Sequence, residues 1–174
     1  MTRYAVFLRG VNVAGISLKM SAVARALEGA GFANVKTILA SGNVLLESRL
    51  GAAAVRSKIE ETLRAEFGYD AWVLVYEVDE LAQIAVDYPF EREVDGHHSY
   101  VTLVSDADVL RELSALAESA ATGEKIQAGR AALYWQVPRA ATLESTIGKT
   151  MGKKRYKSST TTRNLRTIDR VLRG

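Results

Sequence analysis

Apolar residues in the first 77 positions repeat with two periods, and the order in which those periods alternate restricts the fold more than any other feature of the chain. Residues 4–9 (YAVFLR) read as a strand, with Tyr4, Val6 and Leu8 on one face and Ala5, Phe7 and Arg9 on the other. Residues 18–30 carry Leu18, Val23, Ala24 and Leu27 at helical spacing. VKTILA (35–40) and VLLES (44–48) flank the tight-turn tripeptide Ser41-Gly42-Asn43 as the arms of a hairpin. A second helix over 52–67 places Val55, Ile59, Leu63 and Phe67 four apart and stops at Gly68. AWVLVYE (71–77) is a fourth strand. The order β-α-β-β-α-β is the split βαβ, or ferredoxin-like, unit.

The same order then begins again. A short helix near 79–87 is stopped by Pro89 and followed by a polar loop, EREVDGHH. YVTLVS (100–105) is a strand, and 107–119 is a helix with Leu110, Leu113 and Ala117 aligned. EKIQA and ALYWQV are strands joined through Gly129-Arg130, and a helix starts near Thr142. The expected fold is α+β: two ferredoxin-like βαββα(β) halves related by internal duplication, residues 1–78 and 79–174, each an antiparallel sheet with packed helices. The second half is expected to lack or displace its last strand. Trp72 and Trp135 are expected in corresponding strands, largely buried. Both faces of the first and fourth strands are apolar, so the first sheet should be covered on both sides.

The chain has no cysteine, which excludes disulfides, thiol catalysis and zinc–cysteine sites and agrees with a reducing compartment. The opening MTRYAVFLRGVNV is too short in its apolar stretch, and too broken by Arg9, to read as a signal peptide. No run approaches the ~18 apolar residues of a membrane helix. A cytoplasmic protein with no membrane partner is expected. The net charge of +3 conceals an asymmetry: from Gly148 onward there are nine Lys and Arg against one acid, Asp169. The preceding residues are net acidic, so the basic end is expected to meet an anionic partner or to be solvated.

Two glycine turns define a candidate site. A split βαβ sheet has strand order 4-1-3-2, so the loop leaving strand one and the turn entering strand three lie at the same end. Arg9, Gly10 and Asn12 are then expected beside Ser41, Gly42 and Asn43, with Arg9, Asn12, Ser41 and Asn43 within about 12 Å of one another. Glycine lets backbone N–H groups approach a ligand, and the next helix adds its N-terminal dipole with Lys19 nearby. The alternative is that these residues only shape turns. At the other end, Thr160, Thr161 and Thr162 precede a helix over 163–172, with Thr162 as N-cap and Leu165, Ile168 and Leu172 on one face. Arg163 and Arg166 fall in its first turn, where the dipole disfavours cations, so Thr162, Arg163, Asn164 and Arg166 form a second candidate anion site.

LRGVNVAG, Lys19-Met20, GFANVKT, LASGNVLLES and TTRNLRT, taken in order over most of the chain, resemble a bacterial family catalogued as domain of unknown function 1697. The family pattern reads LRGINVGG, SGNV and TTRNW. Here Ala14 stands for the second glycine of the GG pair, and Leu165 for the tryptophan, which removes a surface that could stack on a base. The resemblance implies a duplicated ferredoxin-like fold and no established activity.

Other motifs carry less. Gly148-Lys149-Thr150 lacks the upstream glycine of a P-loop, because Leu143 stands there. His97 and His98 are adjacent, so on a strand they point to opposite faces, and no further histidine exists to complete a metal set. Glu60-Glu61 and Asp79-Glu80 read as solvated helix faces. SGNVLLES has no aromatic residue, so the base-stacking platform of an RRM is missing. Neither a cofactor nor a metal is expected. The function expected is binding of a phosphate-bearing ligand, nucleic acid or nucleotide, through the glycine loop and the basic C-terminal segment. The alternatives are an enzyme acting on a small phosphorylated or acidic substrate, with Arg9, Asn12 and Asn43 positioning it, and a protein–protein interaction module. Oligomeric state is not legible.

Overall fold

The computed structural model describes residues 1–10, 17–142 and 145–174. Its contacts divide the chain into two units, Met1–Ala82 with Arg170–Gly174, and Gln83–Asp169. Among the described residues no helix is long and apolar enough to cross a membrane.

In the first unit β1 (Thr2–Arg9), β2 (Ala33–Ile38), β3 (Asn43–Ser48) and β4 (Trp72–Glu77) form an antiparallel sheet in the order β2-β3-β1-β4. Helices α1 (Met20–Gly29) and α2 (Ala52–Phe67) pack on one face. The period-two pattern of β1 sends Tyr4, Val6 and Leu8 into that core, where Val44, Leu46 and Val73 join them from neighbouring strands. The helices answer with Val23, Leu27, Val55, Ile59 and Leu63, all at zero exposure. On the opposite face Ala5, Phe7, Leu45, Leu74 and Tyr76 are also buried, as expected for strands apolar on both sides. Lys36 Nζ there donates to the carbonyl of Gly174.

Glu60 departs from the solvated-face reading: it is buried, while Glu61 is exposed. Its Oε2 accepts the backbone N–H of Val73 at 3.0 Å and pairs with Arg56 Nε at 3.3 Å. β4 is an edge strand, and its outward N–H needs an acceptor that the sheet cannot supply. Helical periodicity did not reveal this, because the partner is 13 residues away on another element.

After α3 (Val78–Val86), the second unit repeats the plan. β5 (His97–Val104), β6 (Lys125–Ala128), β7 (Ala132–Pro138) and β8 (Thr160–Asn164) pair in the order β6-β7-β5-β8, the order of the first sheet strand for strand. Helices α4 (Ala107–Ser114) and α5 (Thr146–Met151) cover Val104, Ile126, Leu133, Trp135 and Val137. Asp106 caps α4, its Oδ1 accepting from Asp108 N at 2.8 Å and Val109 N at 3.2 Å. The helix expected over 107–119 ends at Ser114 and continues as a 3-10 segment, Ala115–Ser119.

The last strand is neither lost nor displaced: the threonine run makes it. Thr160–Asn164 pairs antiparallel with β5, Thr162 opposite Thr102 and Arg163 opposite Val101. Thr162 is therefore a strand residue rather than an N-cap, and Arg163 is not helical. Threonine has two compatible habits, capping and extended pairing; an unpaired β5 edge selects the second. Helix α6 (Leu165–Arg173) starts after it and buries Leu165, Ile168 and Val171.

The tryptophans do not occupy corresponding strands. Trp135 lies in β7, is 3% exposed, and donates from Nε1 to Thr102 Oγ1 at 2.9 Å. Trp72 opens edge strand β4, whose counterpart is β8, and is half-exposed with the Arg64 guanidinium 4.9 Å from its ring centroid. Gly148-Lys149-Thr150 lies inside the six-residue α5, not in a phosphate-binding loop.

Candidate functional site

The first candidate group lies at one end of the first sheet. Phe7 pairs with Asn43, so Arg9 continues β1 toward the level of Ser41, and Leu8 N donates to Gly42 O at 2.8 Å. Asn43 is fully buried and closes the turn, its Nδ2 donating to Ile38 O at 2.8 Å and to Ser41 Oγ at 2.8 Å. Gly42 sits at φ 89° and Leu39 at φ 61°, so the Ser-Gly-Asn stretch is a hairpin loop whose amide side chain is already committed. Arg9 is half-buried on the Asn43 face of the sheet. Its Nε is shielded from solvent with no hydrogen-bond partner among the described residues, and burial pulls the guanidinium below its ordinary pKa. Gly10 takes a positive φ of 81°. Lys19 is exposed immediately before α1, where its carbonyl accepts from Ala22 N and Val23 N. Asn12 lies outside the described residues.

The C-terminal candidates separate. Thr162 Oγ1 is bonded to Thr102 Oγ1 at 2.8 Å on the helix-covered face of the second sheet. Arg163 is on the other face, its Nη1 donating to Thr161 Oγ1 at 2.6 Å and Thr162 O at 3.0 Å. Only Asn164 and Arg166 line a cleft, of about 320 Å³, at the end of that sheet where β5 begins.

The cleft also draws in residues that sequence reasoning did not select: Arg92, Glu93, His98, Arg139 and Asp169. Asn164 Oδ1 accepts Arg166 N at 2.9 Å, which fixes the entry to α6. Arg92 forms a two-oxygen pair with Asp169 at 2.7 and 2.8 Å. Arg166 Nε meets Glu93 Oε1 at 3.1 Å. Arg139 has no carboxylate partner among the described residues; its Nε reaches His97 O at 3.4 Å. Gln136 Nε2 holds the loop before β5 by donating to Glu91 O at 2.7 Å. The missed signal was strand pairing. His97 lies opposite Pro138, so Arg139 and the two histidines that open β5 meet once β5 and β7 are joined.

Burial, then the guanidiniums of Arg139 and Arg166, lower the His98 pKa from its ordinary 6.5. The imidazole is therefore neutral at pH 7, beside two cations. The unfolded chain binds this proton more readily, so the stability linked to His98 is complete above pH 6.5 and declines as the pH falls toward the folded-state value. His98→Gln should flatten part of that acid-side decline, read as melting temperature against pH. An unchanged slope below pH 6.5 would show that other groups carry it. Chemically, the cleft offers guanidinium and amide donors, the imidazoles of His97 and His98, and the carboxylates of Glu93, Asp95 and Asp169. Among the described residues no cluster of three His, Cys, Asp or Glu could hold a metal.

Comparison with known proteins agrees with this architecture. A solved structure, that of the conserved bacterial protein SP0830 from Streptococcus pneumoniae, superposes with a TM-score of 0.80 at 19% identity, over 99% of this chain and 97% of that one. At this identity the likeness concerns the fold. No curated protein matches the chain. The family model of a protein of unknown function, DUF1697, matches residues 1–134, from β1 into β7. With a match over that much of its length, the chain belongs to the DUF1697 family.

Proposed function

We propose that this chain is a bacterial, cytoplasmic binding module for a phosphate-bearing ligand, a nucleotide or nucleic acid, which it takes in the cleft of the second unit. The observation that carries this reading is geometric: Arg139, which has no carboxylate partner among the described residues, shares one cleft with Arg166, His98 and Asn164. Arg139 offers guanidinium donors that match phosphate oxygens, alongside the pairs Arg92–Asp169 and Arg166–Glu93 and the carboxylate of Asp95. The exposed run Lys153, Lys154 and Arg155 adds non-specific attraction for a polyanion.

The test is an NMR titration with inorganic phosphate and with a nucleoside 5′-monophosphate at low salt, following the His98 ring. Bound anion should raise the His98 pKa, because it offsets the field of Arg139 and Arg166, which adds to the larger effect of burial in lowering it. Affinity should fall as salt is added. Arg139→Gln should weaken binding about tenfold or more, the scale of one lost charge-assisted hydrogen bond. Absence of any saturable shift at low salt overturns the reading. Binding undiminished by Arg139→Gln would place the ligand elsewhere.

A further inference from the structure

Two arginine–carboxylate pairs line the cleft, and they are built differently. Arg92 engages both oxygens of Asp169, and its Nη1 also donates to Ala85 O at 3.0 Å. That guanidinium is pinned. Arg166 touches Glu93 through Nε alone, at 3.1 Å, and the two side chains are 68% and 69% exposed. An exposed single-contact pair of this kind is weak. Arg166 is nevertheless well placed, because Asn164 Oδ1 holds its backbone N–H at the start of α6.

We infer that Glu93 is a built-in competitor for the anion site: its carboxylate occupies Arg166 until a phosphate displaces it. The inference rests on the phosphate reading of the cleft. Glu93 belongs to the polar loop ahead of β5, and an exposed carboxylate there returns to water at little cost. A phosphate that replaces it offers several oxygens to a planar fork of donors that Glu93 engages through one oxygen only. It also brings up to two charges where the carboxylate brings one. The displaced competitor therefore sets a threshold. A dianionic phosphate monoester draws more from Arg166 than a singly charged phosphodiester does, so it displaces the competing carboxylate more readily. The ligand class that fits is a terminal phosphate, as on a mononucleotide, rather than the interior of a nucleic-acid backbone.

Glu93→Gln removes the competing charge and keeps the side chain's size. Its affinity for inorganic phosphate, by isothermal titration at low salt, should rise about five- to tenfold over the unaltered chain. In an Arg166→Gln background the same change should raise it less than about twofold, because competition acts through Arg166. Both side chains are exposed, and melting temperatures will show that the variants remain folded. Equal or weaker binding by Glu93→Gln, when the unaltered chain binds phosphate, overturns the competitor and leaves the binding reading standing. An equal gain in both backgrounds also overturns it, since simple charge repulsion then suffices. If neither the unaltered chain nor Glu93→Gln binds phosphate, both inferences fall.

Discussion

Gly148→Ala is expected to destabilise the second unit by about 3 kcal/mol, at the upper end of the usual overpacking range. A Cβ built on Gly148 would stand 2.0 Å from the backbone carbonyl oxygen of Thr142 and 2.9 Å from Ser145 Oγ. Neither neighbour is free to yield. Ser145 is 1% exposed, donates to Thr142 O at 2.7 Å and accepts Gly148 N at 3.0 Å. Moving the carbonyl breaks the first bond, and moving the serine breaks both, so the start of α5 loses its cap. Ile147 beside it has zero exposure, which passes the disturbance into the core. Gly152→Ala is the matched control. Its added Cβ meets Lys149 O at 3.6 Å, an ordinary contact, and the cost should stay within about 0.5 kcal/mol. Urea unfolding of the full chain, followed by the fluorescence of buried Trp135, measures both. Equal midpoints for the two variants would show that α5 shifts to make room.

Glu60→Ala should cost about 2 kcal/mol through the first unit. The substitution leaves the Val73 N–H of edge strand β4 without its acceptor and Arg56 without its carboxylate. Glu60→Gln keeps a carbonyl oxygen in position for Val73 and loses only the charge, so it should recover more than half of the loss. That ordering separates the edge-capping bond from the ion pair. Equal losses in the two variants would assign the effect to Arg56. Amide hydrogen exchange at Val73 gives a local check, with protection lowered in Glu60→Ala and retained in Glu60→Gln.

The first sheet was legible almost in full because its signals are local. Alternation in β1, four-residue spacing in α2 and the Ser-Gly-Asn turn each report on neighbours a few residues away. Strand order followed, since a split βαβ connection has few ways to close. Reading failed where one residue type serves two structures. Thr160, Thr161 and Thr162 suit a cap or a strand, and the choice belongs to the edge of β5, nearly 60 residues earlier. Arg163 then went to the wrong element, and with it to the wrong face. Glu60 failed for a related reason: its partner is a backbone N–H, which no side-chain pattern announces.

The candidate sites divide along the same line. Arg9, Ser41 and Asn43 came to one end of the first sheet by arithmetic from strand order, yet only the folded chain shows that Asn43 spends its amide on the turn. Arg92 and Arg139 do not stand out, since each is ordinary in its own neighbourhood, and His98 reads from the sequence only as one of an adjacent pair without a third metal ligand. The amino-acid sequence by itself determined the element order of the first half, its repetition in the second up to the last strand, and the basic C-terminal segment, because hydrophobic period, turn chemistry and charge are written residue by residue. The tertiary structure alone decided which threonines pair, which acid is buried, and which cations share a cleft. Those outcomes depend on strand register and on the satisfaction of backbone donors between segments far apart in the chain, and register is a property of two strands together.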